Sequence, residues 1–122
     1  MNRSIVAVAA LLIGALAPSA QAFRVIEEVE NSVELALADV TLPTDANGTL
    51  SYRACATCTT QTHSVNGETV YRLNNRTLPF EEFAAAIDEL PAMAEARALA
   101  GVFYDLNTKR ITRVVVIVAN AQ

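Results

Sequence analysis

The chain has 122 residues, 52% of them hydrophobic, and 13 acidic against 9 basic side chains for a formal charge of −4. That length accommodates one small domain. The basic residues are scattered, with only Lys109 and Arg110 adjacent, so no basic stripe exists to hold nucleic acid or anionic lipid.

The first 22 residues, MNRSIVAVAALLIGALAPSAQA, read as a signal peptide: Arg3 supplies the positive start and Ala20-Gln21-Ala22 the small-x-small cleavage pattern. The apolar run over 5–16 is about a dozen residues, short of the roughly 20 that a membrane span needs. Cleavage near Ala22 is expected, with no cysteine behind it to carry a lipid and no stable membrane insertion. The mature chain, 23–122, keeps 8 basic and 13 acidic residues. The shortness of the signal points to a bacterial periplasmic or secreted protein. Such a compartment is oxidising, and the chain's two cysteines make one even pair. The sequons at Asn47 and Asn75 coincide with turn signals, which account for them without sugar.

Residues 23–33 read as a loose lead-in. The stretch that follows keeps both a helical and an alternating period, and its β-branched residues and closing Pro43 favour a strand over about 34–42. PTDANGT is a turn cluster before a second strand, TLSYRACA, in which Leu50, Tyr52 and Ala54 share one face. Asn66-Gly67 predicts a type I′ hairpin between TTQTHSV and ETVYRLN, and Asn74-Asn75 reverses the chain again before RTL. A helix follows near 77–79, with Thr77 as cap and Pro79 in the first turn, where its missing N–H costs nothing. Phe80, Phe83, Ile87 and Leu90 form its apolar stripe, Pro91 breaks it, and Gly101 ends the resumed part. The chain closes with a hairpin, 102–106 and 111–118, turning at 107–109. Its last strand is apolar on both faces from Val114 onward and therefore central. These elements predict one α+β domain, ordered over about 34–119. It is an antiparallel sheet of about five or six strands with one Pro-broken helix packed on one face.

The stretch RACATCTTQTH holds both cysteines and the only histidine. In a straight strand Cys55 and Cys58 would lie about 10 Å apart on opposite faces, so any joint chemistry requires the chain to turn between them. A Cys55–Cys58 disulfide is the leading reading. It closes a four-residue loop and contributes about 2 kcal/mol in the chain-entropy model. Thiol–disulfide exchange is an alternative that C-x-x-C spacing permits, although a threonine-rich run follows Cys58 where a helix would lower a thiol pKa. Covalent haem attachment is excluded, because Thr59 rather than His follows Cys58.

A metal is the third reading. Cys55, Cys58, His63 and Glu68 have the spacing C-x2-C-x4-H-x4-E, which over 14 residues resembles a zinc knuckle. It departs from that pattern at Glu68, where the knuckle has cysteine, and lacks the knuckle's glycines. A hairpin at Asn66-Gly67 would put His63 and Glu68 diagonally on one face, and zinc accepts thiolate, imidazole and carboxylate.

No other constellation suggests catalysis. Adjacent carboxylates Glu81-Glu82 and Asp88-Glu89 do not face each other on a helix, no nucleophile elbow surrounds a serine, and the four glycines form no phosphate loop or cofactor motif. Tyr52, Tyr71 and Tyr104 read as core aromatics, or else as a ligand platform on an uncovered sheet face. The sequence therefore predicts a small exported non-catalytic domain binding a protein or envelope component. The alternative is a periplasmic thiol-redox or metal-handling protein built on Cys55, Cys58 and His63.

Overall fold

A computed structural model describes residues 30–119. The expected signal peptide, its cleavage site and the lead-in as far as residue 29 lie outside the described residues. The described chain is a mixed α+β fold with two sheets and two helices.

The first strand, β1 (Glu30–Ala36), starts four residues earlier than its sequence suggests. It ends in a single 3-10 turn (Leu37–Asp39) before the two-residue β2 (Val40–Thr41). One expected strand is thus two, because the turn buries Leu37 and its N–H donates to the Ala98 carbonyl at 2.9 Å. β3 (Thr49–Tyr52) and β4 (Gln61–Ser64) pair antiparallel, and β2 joins β3 to complete a three-stranded sheet. Leu50 and Tyr52 are buried as the alternation requires, but Ala54 lies past the strand end and is exposed.

β5 (Val70–Leu73), β6 (Arg76–Leu78), β7 (Leu99–Asp105) and β8 (Ile111–Ile117) join β1 in a five-stranded sheet of order β1-β7-β8-β5-β6. The single antiparallel sheet expected is therefore two sheets, and β5 runs parallel to β8. Parallel neighbours need a long crossover, here the segment holding β6, both helices and β7.

The Asn66-Gly67 hairpin does not form. β4 belongs to the small sheet and β5 to the large one, so 66–69 turn the chain from one to the other. The Glu68 N–H donates to Asn66 Oδ1 (2.9 Å) and the Thr69 N–H to the Asn66 carbonyl (3.1 Å). This side-chain-closed turn needs no left-handed residue, and no described glycine has positive φ. The left-handed pair is instead Asn74 (φ 47°) and Asn75 (φ 70°), joining β5 to β6. Asn75→Gly is expected to change stability by less than about 0.5 kcal/mol, and Asn75→Val to cost about 1–2 kcal/mol in urea unfolding.

Thr77 does not cap the helix, since it is part of β6. Pro79 occupies the cap position, and its carbonyl accepts from the Phe83 N–H at 2.9 Å. α1 (Phe80–Asp88) has Glu81 and Glu82 in its first turn, where the helix dipole favours them, and buries Phe83 and Ile87. α2 (Ala92–Arg97) is a separate helix with Pro91 at its cap position, and it ends well before Gly101, which lies within β7.

The core fills the inner face of the large sheet. Leu35, Ala100, Val102, Val114, Val116 and Tyr71 point inward from its strands, Leu50 and Tyr52 from the small sheet, and Phe83 and Ile87 from α1. A register shift between Phe103 and Tyr104 pairs Tyr104 with Ile111. That bulge turns both Ile111 and Val114 inward, although three residues apart would normally put them on opposite faces. β8 is central, as expected. Its two faces differ, however: Val114 and Val116 are buried, while Ile117 is 56% exposed.

Tyr71 packs against the rings of Phe80 and Phe83, with centroids 5.3 and 5.0 Å away. Burial pushes its phenol up to about 12, and its hydroxyl has no hydrogen-bond partner among the described residues. The fold thus favours the neutral phenol. Its contribution is complete below the ordinary value of 10 and is lost as pH climbs from there through about 12. Tyr71→Phe is expected to be neutral or slightly stabilising at pH 7 and to remove that alkaline loss, as read by urea midpoints across the range.

Candidate functional site

The cysteine turn lies in the loop 53–60 that joins β3 to β4. The Cys58 N–H donates to the Cys55 carbonyl at 3.1 Å, the Cα atoms are 5.0 Å apart, and the sulfurs stand at disulfide distance. Cys55 is exposed, as exchange chemistry requires, but no helix begins at either cysteine. The dipole that would stabilise a thiolate is therefore missing from this loop.

His63 points away from the loop into the seam between the sheets. On β4 it pairs with Leu50, and its ring stacks near those of Tyr52 (centroids 5.7 Å, 10° between planes) and Tyr104 (4.6 Å, 21°). Its Nδ1 is 2.6 Å from the Lys109 carbonyl. A carbonyl only accepts, so Nδ1 carries the proton and donates. Nε2 is buried with no partner among the described residues. Lys109, in the left-handed region at φ 61°, ends the β7–β8 turn, and its ammonium lies 5.9 Å from the Tyr104 ring centre. The Asn31 amide donates to the Tyr104 hydroxyl at 2.9 Å. Burial, and then the nearby Tyr104 phenol, raise the Tyr52 phenol above its ordinary value.

The four residues of the knuckle-like spacing are not brought together. The cysteine sulfurs face each other, His63 is buried with its ring stacked near two tyrosines, and Glu68 is exposed on the 66–69 turn. Among the described residues, no three His, Cys, Asp or Glu side chains converge as a metal site. The expected diagonal pairing of His63 and Glu68 fails for a topological reason: β4 and β5 are in different sheets.

The outer face of the large sheet is the second feature. Across β1, β7, β8 and β5 the register aligns Glu34, Gly101, Val115 and Arg72 in one row. Beside it runs Ser32, Phe103, Arg113 and Val70, and on the other side Ala36, Leu99 and Ile117. Leu99 is 43% and Val70 40% exposed. A cavity of about 220 Å³ lies over Gly101, walled by Leu99, Phe103, Val115 and Ile117, and the Phe103 ring would come within 3.3 Å of a Cβ placed on that glycine. The Arg113 guanidinium stacks 3.9 Å from the Phe103 ring centre and pairs with Glu30 at 3.1 Å.

Sequence reasoning missed both groupings. His63 was visible, but its meeting with Tyr104 and Lys109 depends on how the small sheet docks. Of the outer-face residues, Val115 and Ile117 fall in the run expected to be buried on both faces, because an apolar strand gives no sign of which flank is left open. Neither family models, curated proteins nor solved structures match this chain.

Proposed function

We propose that this chain is a small exported, non-catalytic domain that binds a protein or envelope component through the outer face of its five-stranded sheet. The observation that carries the reading is that face: Leu99, Phe103, Val115, Ile117 and Val70 form an apolar strip that no described element covers. Contiguous apolar surface rimmed by charges marks interaction sites. Full burial of a Leu, Ile, Val or Phe side chain is worth about 1.5–3 kcal/mol, and these are already partly buried, so about 1 kcal/mol each is left to gain. Against an association cost of at least about 4 kcal/mol, that sum supports weak or moderate binding.

The reactive groups favour a passive role. The cysteine sulfurs are within bonding reach of each other, and the His63 ring is fixed by stacking and by the Lys109 carbonyl.

The test uses the full chain expressed in a bacterial host with a photo-crosslinking side chain at Ile117, or at Glu81 on α1 as control. The protein recovered from the periplasm or medium is expected to begin at Phe23 and to be two hydrogens lighter than the dithiol. Crosslinked adducts are expected from Ile117 and not from Glu81. An unprocessed chain retained in the cytosol refutes the export, and equal or absent adducts from the two positions refute the binding face.

A further inference from the structure

Resting on that reading, the geometry points to a second copy of this chain as the occupant of the outer face, paired about a two-fold axis parallel to the strands. Such an axis, lying between the faces and running between β7 and β8, exchanges β1 with β5 and β7 with β8 while preserving the rows. Glu34 then faces Arg72 of the second copy, and Arg72 faces its Glu34. Within these four strands acid stands on one flank and base on the other, with Thr77 of β6 beyond Arg72, so the four-stranded face is self-complementary.

The middle of the face matches equally well. Gly101 lies opposite the second copy's Val115, a missing side chain under a branched one, and Leu99 lies opposite its Ile117. Phe103 meets its Arg113, repeating across the interface the ring-on-guanidinium contact each copy makes internally. Aligned sheet packing allows a rotation of about 30° between the faces, which the exposed Glu34 side chain can follow toward an Arg72 guanidinium resting on the Asn75 carbonyl at 3.3 Å.

A foreign partner explains the apolar strip but not why opposite charges stand at matching places on either side of the β7–β8 midline. The area sets the strength. At about 4.8 Å spacing, three strands about 23 Å long and the four-residue β5 of about 13 Å project roughly 390 Å² per copy. This is at the small end of specific interfaces, where about 800 Å² of accessible surface per partner is usual, so pairing depends on concentration.

Sedimentation equilibrium of the purified oxidised mature protein tests the pairing. A monomer–dimer equilibrium is expected in the range of about 10 µM to 1 mM. Glu34→Arg and Arg72→Glu should each weaken it about tenfold, and the double swap should restore it to within about threefold. Ile117→Glu, at a site already more than half exposed in the monomer, should abolish it without altering the thermal midpoint by more than a few degrees. A chain that stays monomeric throughout, or a dimer indifferent to all four variants, overturns the proposal. Should that monomer still give Ile117 adducts to a different protein, only the self-pairing falls and the binding face stands. No adducts and no dimer dispose of both.

Discussion

Phe83→Ala is expected to cost about 3–5 kcal/mol and to lower the thermal midpoint by roughly 15–30 °C. Phe83 is 1% exposed and rests against Tyr71, so it is the main bolt between α1 and β5. α1 is only nine residues long and has no side-chain cap, so its own propensity does little to keep it helical. Without the ring the helix loses its main hold on the sheet, and a domain of this size has only about 5–15 kcal/mol in total to lose. Phe80→Ala, at a half-buried position on the same helix, should cost distinctly less. Circular dichroism melts and urea titrations measure both. A Phe83→Ala loss below about 1 kcal/mol would mean that α1 is not docked on β5 as described.

His63→Ala should cost about 2–4 kcal/mol, because it removes a buried ring stacked near Tyr52 and Tyr104 and leaves the Lys109 carbonyl without its donor. The same experiment separates a structural histidine from a ligand. Zinc added to the wild type should leave the urea midpoint unmoved, with the cysteines oxidised or reduced. A ligand bound only by the folded state would raise it by mass action. The proton on Nδ1 gives a further readout, since ¹⁵N–¹H correlation spectra should report the Nδ1–H tautomer in the neutral ring.

Local signals in the sequence were read well where a few neighbouring residues decide the outcome. The Asn74-Asn75 reversal, the inward Leu50 and Tyr52, and the buried Phe83 and Ile87 all follow from alternation, helical spacing or left-handed tolerance. What failed was pairing over distance. Asn66-Gly67 carries the residues of a tight hairpin, but the Asn66 side chain closes a different turn, and the strands on either side have other partners. The parallel β5–β8 ladder joins residues more than forty positions apart, which no local period reports. Gly101 looked like a helix stop because a glycine after a weak helix has that role, whereas here it opens a dent in a strand. For the candidate site, the cysteine turn was legible from geometry. The setting of His63 was not, because Tyr104 and Lys109 come from a hairpin about forty residues away.

The order β1-β7-β8-β5-β6 also governs when this molecule can come together. β8 is synthesised last, yet it alone bridges the β1–β7 pair and the β5–β6 pair, which otherwise share no ladder. Until β8 is in place no ladder couples the two pairs, so the five-stranded sheet closes only when the last of its strands joins it. A sheet keyed by one strand in this way should gain or lose its order as a unit, not strand by strand.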